Sequence, residues 1–309
     1  MRTALANGAN LWNGAEFYGS PENNSLTLLN KYFAKYPEDA EKVVLSIKGC
    51  FSATTFAPDN SETGIRSSVD NCIKLLGPGK KIDFFELTRV DPNVPIEDAV
   101  KTLAALIKEG KIGGYMLCEV SEKTIRAAHA VHPVSGVEQE LSVWTADVLA
   151  DGSAAACAEL GIPIIAYSPI GRGMLTGEVK SFDDLPEGDI RRILPRFQVL
   201  SSLLSLPEHP DVFDLNLKLV DELKKLAAKK NVTPAQLAIS WVKARHLQIK
   251  GLTVIPNPGA TTGARVTENI KSKDVEWTQE DEKEVNNILS SFEIKGGRYP
   301  DAFKPLLNV

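Results

Sequence analysis

The chain has 309 residues, with 35 Lys+Arg against 40 Asp+Glu for a formal charge of −5, and it is 43% hydrophobic and 24% charged. Such a balance describes a globular protein of one large or two small domains; it excludes disorder and collagen-like structure and argues against a nucleic-acid surface. The longest apolar stretches, such as 162–167, fall far short of the roughly 18 to 20 residues that cross a bilayer, so no membrane span is expected. Cys50, Cys72, Cys118 and Cys157 lie far apart without a C-x-x-C. With no signal-like segment after Met1, free thiols and a cytoplasmic location are expected.

In chain order, β-type runs at 9–15, 42–48, 82–88, 112–118, 136–142, 162–168 and 252–257 alternate with helical stretches. The helices are expected at 25–36, 62–76, 96–108, 122–131, 153–160 and 215–230. Alternation of this kind builds a parallel sheet. In 96–108, Ile96, Ala99, Val100, Leu103, Ala104, Leu106 and Ile107 recur at helical spacing, the pattern of a helix laid on a sheet, and Gly110 stops it. Seven strands suit an open doubly wound sheet or a barrel short of one strand. No G-x-G-x-x-G follows a strand, which weakens the open sheet. Polar residues gather instead at the carboxyl ends of the strands: Asn13, Lys48, Thr88, Cys118, Glu119, Glu138, Glu140, Tyr167 and Ser168. A barrel brings those ends to one mouth, so a (β/α)8-type barrel in a single domain, 1–309, is expected. The long segment 169–210 reads as a lid. Thr278 with the acids after it starts an appended helix over 278–292.

Three motifs then stand in order. The first is Ala15-Glu16-Phe17-Tyr18-Gly19, the second runs from Ile165 through Tyr167-Ser168-Pro169 and Gly171 to Gly177, and the third runs from Val254 through Pro258-Gly259 to Arg265, Glu268 and Asn269. Together they resemble the aldo-keto reductases, NADPH-dependent barrels that reduce carbonyls, over about residues 5 to 271. Asn13-Gly14 and Leu117-Cys118-Glu119 look like the pyridoxal reductase branch, which belongs to vitamin B6 metabolism. The resemblance implies a first strand and most of a first helix ahead of the segment matching Met1 to Leu5, so this chain is expected to lack them and to leave two strand edges unpaired.

What the resemblance implies for chemistry falls on named residues. Tyr18 takes the place of the acid that protonates the developing alkoxide, and Lys48 that of the cation lowering the phenol's pKa. The Asp that ordinarily pairs with the Lys is Asn13 here, and the His that orients the carbonyl is Thr88. Asn cannot offset a charge and Thr cannot become a cation. Strand alternation puts Glu86 on the face of Thr88, where it could supply the missing negative charge to Lys48; a salt bridge elsewhere is the alternative. Gly259, Thr261, Thr262 and Arg265 match the 2′-phosphate site of NADPH, and Glu268 and Asn269 its adenine contacts. Tyr167 matches the platform under the nicotinamide, with Ser168 and Gly171 in the loop beside it, while Cys118, Glu119 and Glu138 replace the residues that hold its carboxamide. A small-molecule carbonyl substrate is implied, with no nucleic-acid or membrane partner. His129, His132, His209 and His246 show no metal-ligand spacing, and no metal is expected. A cofactor-binding protein with impaired turnover, and a carboxylate-pair enzyme acting on sugars through two of Glu86, Glu138 and Glu140, are the other readings.

Overall fold

The computed structural model describes residues 1–52, 54–198 and 212–309. Seven strands form one parallel sheet in sequence order: β1 (Leu11–Ala15), β2 (Val44–Gly49), β3 (Ile82–Leu87), β4 (Ile112–Cys118), β5 (Gly136–Glu140), β6 (Ile164–Tyr167) and β7 (Val254–Asn257). The sheet curls into a nearly closed barrel of the (β/α)8 type, with helices around it. All seven expected strands are present, most of them shorter than read from the sequence. β6 begins after Pro163, and Ser168 has already turned to a φ of 52°.

Side-chain alternation explains both faces of the barrel wall. Outward positions are apolar and buried: Ile47 on β2, Phe85 on β3, Tyr115 and Leu117 on β4, Val137 on β5. They pack under α2 (Ser25–Lys35), α3 (Glu62–Leu76), α4 (Ile96–Lys108), α5 (Glu122–Val131) and α6 (Ser153–Leu160), which contribute Leu26, Val69, Leu103, Ile125 and Ala154 to the same core. Inward positions near the strand ends are polar, and the register sets Lys48 opposite Glu86 and Cys118 opposite Glu138.

The outer edges of β1 and β7 carry no strand partner among the described residues. Between them lies a cavity of about 600 Å³ lined by Trp12, Leu28, Leu29, Pro256, Val266 and Ile270 among others. The short α1 (Arg2–Ala6) crosses that side and packs on a helix after β7. Of the 169–210 segment, residues up to 198 form short 3-10 turns such as Phe182–Asp184 and Pro195–Phe197. The remainder of that stretch, with His209, lies outside the described residues. α7 (Val212–Lys229) and α8 (Pro234–Lys243) follow, then α9 (Gly263–Lys271) and the appended α10 (Gln279–Ser290), whose capping box uses Thr278 and Asp281.

Candidate active site at the barrel mouth

The loop after β1 carries Tyr18 to the rim, and its shape follows from three anchors. Ser25 Oγ ties down both the N–H and the C=O of Ala15, at 2.9 and 2.7 Å. The Glu16 carboxylate accepts from Ser68 and Asn71 of α3, at 2.9 and 3.3 Å. Gly19 has a φ of +115°, and an added Cβ there would meet the Asn23 carbonyl at 2.3 Å, so the turn admits glycine alone. Phe17 packs edge-on against the Tyr18 ring. The residue as a whole is 46% exposed, while its hydroxyl end lies in the field of Lys48, Glu138 and Glu86. Desolvation of that end pushes the phenol up to about 12, with Lys48 pulling the other way and the two acids reinforcing the rise.

Lys48 sits inside the barrel, almost wholly buried, and its ammonium is held from three sides. Glu138 Oε2 is 2.6 Å away, Glu86 Oε1 3.2 Å, and Asn13 Oδ1 accepts a hydrogen bond at 3.2 Å. Asn13 also donates through Nδ2 to Glu138 Oε2 at 2.8 Å. Burial opposes the charge on Lys48, but Glu138 and then Glu86 outweigh it and hold the group protonated well above its ordinary range. One ligand atom each of Glu86, Cys118 and Glu138 lies within 4.8 Å of the others, a spacing that would suit a metal ion. The ammonium already occupies the place of the cation.

Several expected roles are altered by what the residues touch. Thr88 Oγ1 donates to the Gly49 carbonyl at 2.7 Å, so its proton is directed away from the mouth. Glu138 faces Lys48 and Asn13 instead of standing free to accept from an amide. Glu119 is fully buried, and Arg298 clamps both its oxygens at 2.9 Å. Burial works against the Glu119 charge, yet Arg298 prevails and keeps the carboxyl below the usual carboxylate range. Cys118 is buried beside Arg89, its Sγ 3.3 Å from Nη1, and burial raises its thiol pKa far above the ordinary value. A nucleophilic role there has no support, because the thiolate is the reactive form.

Tyr167 donates to Glu119 Oε1 at 2.7 Å and meets the Tyr299 hydroxyl at 3.1 Å, which ties down its hydroxyl, and the residue as a whole is partly buried. Ser168 and Arg172, both at positive φ, and the buried Gly171 turn the chain sharply away from β6. The sequence reading missed the residues that close this side. Arg298 and Tyr299 belong to the segment after α10, where the ring of Tyr299 is covered by the Arg172 guanidinium at 4.6 Å. That segment is fastened by Asn216, which exchanges hydrogen bonds with the Lys295 backbone at 3.0 and 3.1 Å, and by the Ser121 N–H donating to Val309 O at 2.9 Å. Its one visible signal is Gly296-Gly297-Arg298-Tyr299-Pro300, an aromatic and a cation inside a turn-rich tail.

After β7, the strand that neighbours β6, Thr262 caps α9 by accepting from the Arg265 N–H. Thr261, Thr262, Gly263 and Arg265 are exposed, and an added Cβ on Gly259 would meet open space. The free first-turn amides, two hydroxyls and a guanidinium at a helix N-terminus form a donor set suited to a phosphate. Arg265 reaches across to Glu178 at 2.6 Å, an exposed pair that a phosphate could displace at little cost. Glu268 is half-buried, and Asn269 lines the cavity beside Gly259.

The Aldo/keto reductase family model matches residues 1–290. The chain belongs to this family. Among its relatives, the Schizosaccharomyces pombe protein named "Probable pyridoxal reductase 2" is 35% identical over 310 residues, spanning 100% of this chain and 90% of that one. A Saccharomyces cerevisiae protein provisionally named as a pyridoxal reductase is 38% identical over 300 residues, covering 93% of this chain and 84% of its own. A glycerol dehydrogenase of Gluconobacter oxydans has a similar fold, with a TM-score of 0.77 at 22% identity over 96% of this chain and 85% of that one. The family places the chain among oxidoreductases, and the mouth is where its chemistry is to be sought.

Proposed function

We propose that the chain reduces an aldehyde to the alcohol with NADPH, and that its substrate is pyridoxal, giving pyridoxine. The observation that carries the reading is the juxtaposition, at the mouth of a barrel of this family, of a rim phenol with a caged, permanently charged lysine. The pyridoxal assignment rests on the names of the two yeast relatives. The choice of NADPH rests on the donor set of Thr261, Thr262 and Arg265.

Thr261, Thr262 and Arg265 would hold the 2′-phosphate of the dinucleotide at α9, and the bound cofactor would supply the hydride that the carbonyl carbon accepts. The ring of Tyr167, its hydroxyl tied to Glu119, would offer a flat surface for the nicotinamide. Tyr18 donates its hydroxyl proton to the carbonyl oxygen as charge develops there, and Lys48 offsets the negative charge left on the phenol oxygen. The phenol then recovers its proton from water at the rim. Asn13 holds Lys48 and Glu138 in register. A second reading, cofactor binding with impaired turnover, draws support from the diverted Thr88 hydroxyl and from a phenol pKa of about 12.

The test is NADPH oxidation with pyridoxal by the native chain and by Tyr18→Phe. A loss of about 10²- to 10⁴-fold with NADPH affinity retained is expected. Equal rates remove the mechanism, and tight binding with no oxidation over an aldehyde panel selects the second reading.

A further inference from the structure

Beneath Tyr18 the barrel buries two carboxyl groups and one ammonium. Glu86, Glu138 and Lys48 are 0%, 3% and 3% exposed. Were both acids ionised, the cluster would carry a net charge of −1 where water cannot screen it, and a buried uncompensated charge is strongly disfavoured. The polar atoms show where a proton could sit. Glu86 Oε2 accepts from Ser46 Oγ at 3.2 Å. Its Oε1 lies 3.2 Å from Lys48 Nζ but makes no well-directed hydrogen bond among the described residues. Glu138 Oε2 is already shared by Lys48 and Asn13.

We propose that Glu86 and Glu138 hold one proton between them, so that with Lys48 they form a neutral unit, and that loss of this proton is what switches off reduction at alkaline pH. The titratable and charged groups facing Glu86 are Lys48 on β2, Cys118 on β4, Glu138 on β5 and Tyr18 on the loop after β1. Burial first, and the like charge of Glu138 second, push the Glu86 carboxyl up to about 8, against the pull of Lys48. Below that point the pair carries one negative charge, which Lys48 cancels. Above it the pair carries two, the unit turns negative, and a second negative charge on the Tyr18 oxygen is opposed. Proton donation from the phenol therefore weakens as pH rises through the pair's titration. The pair never touches the substrate: Glu86 and Glu138 are positioning residues that act through Lys48. The link to turnover rests on the reductase reading, whereas the shared proton does not.

Two readouts separate them. Difference infrared spectra of the native protein, titrated from about pH 6 to about pH 10, should show a protonated carboxylic acid band that disappears with a midpoint near 8. The band should be absent in Glu86→Gln. In Glu138→Gln, where Glu86 faces Lys48 without a like charge, its midpoint should fall by about one pH unit or more. Absence of the band at neutral pH in the native protein overturns the proposal, as does an unmoved midpoint in Glu138→Gln. The second readout is kcat for NADPH oxidation across the same range, each protein scaled to its own neutral value. The alkaline fall of the native enzyme should be lost in Glu86→Gln, and a fall of unchanged midpoint overturns the link to Tyr18. A band that titrates as described in a protein that oxidises no NADPH upholds the shared proton and defeats the reductase reading alone.

Discussion

Replacing Arg298 by Ala tests how the tail closes the mouth. The native guanidinium makes two parallel bonds of 2.9 Å to a carboxylate with no exposed surface, and its own side chain is only 10% exposed. Truncation leaves a buried anion. Breaking one side of such a pair costs about 3 to 5 kcal/mol. Here the Tyr167 hydroxyl still donates to Glu119 at 2.7 Å and Arg89 still contributes its field, so the lower end, about 3 kcal/mol, is expected. For a chain of this size that corresponds to a fall of roughly 5 to 10 °C in melting temperature. The sign with pH is fixed by the depressed Glu119 pKa. The pair's contribution is fully present above the ordinary carboxylate value of 4.5 and is lost as pH falls through the lower folded value. The gap between native and variant should thus be widest at neutral pH and narrow as pH falls, first as the unclamped Glu119 of the variant takes up a proton and then as the native one does. Glu119→Gln added to Arg298→Ala should recover part of the loss, since the uncompensated charge is gone. Melting within about 1 °C of the native protein, or a gap that widens in acid, would refute the reasoning.

Arg265→Ala should leave stability unchanged, because the residue is exposed, but weaken NADPH by about 10- to 100-fold while sparing NADH; equal losses in fluorescence titrations would place the phosphate elsewhere. Leu103→Ala removes a fully buried side chain of α4 facing the barrel and should cost about 2 to 5 kcal/mol in urea unfolding, with NADPH affinity of the folded protein intact. Gly19→Ala forces a Cβ to within 2.3 Å of the Asn23 carbonyl and should lower turnover by shifting Tyr18, with a smaller effect on cofactor affinity; native turnover would show that this loop does not position the phenol.

The parts legible in the sequence were those set by local physics. The helices at 62–76, 96–108, 122–131 and 153–160 end where the sequence places them: Ser61 and Ser121 cap the first and third, Gly77, Gly110 and Gly161 follow the ends of the first, second and fourth, and in the first three an apolar stripe marks the inward face. α8 is the helix least visible in the sequence although Thr233, Pro234 and Gln236 mark its start: Ala235, Leu237, Ala238, Ile239, Ser240, Trp241 and Val242 are all buried, so its polar stripe is thin, only Gln236, Ser240 and Lys243. At the mouth, alternation along β3 puts Glu86 on the inward face but leaves its partner open between Lys48 and a salt bridge elsewhere; the register, with Lys48 one strand away, decides for Lys48. The resemblance makes Glu138 a cofactor contact; its pairing with Lys48, three strands away in the sheet order, is invisible in the sequence, and only the closing curvature of the barrel brings the two within 2.6 Å. The Arg298 clamp joins residues 179 positions apart, beyond any local pattern.

Charge balance gives the two sides of the mouth different characters. The Lys48 side is a sealed unit that reaches neutrality by itself, so its field on Tyr18 depends on one proton. The tail side gathers four guanidiniums, Arg89, Arg172, Arg196 and Arg298, around two carboxylates, Glu119 and Glu140. Arg89 leans on the Thr88 carbonyl and Arg196 on Thr145 and Gly296, with no carboxylate in salt-bridge reach of either among the described residues. The crowding is felt: burial lowers the pKa of Arg196, and repulsion from Arg298 and Arg172 adds to it. Of the four, Arg196 carries the charge that burial disfavours, and a dinucleotide crossing from α9 to Tyr167 would bring phosphates toward that wall. The arrangement therefore favours an anionic cofactor over a neutral ligand, on grounds independent of any single motif.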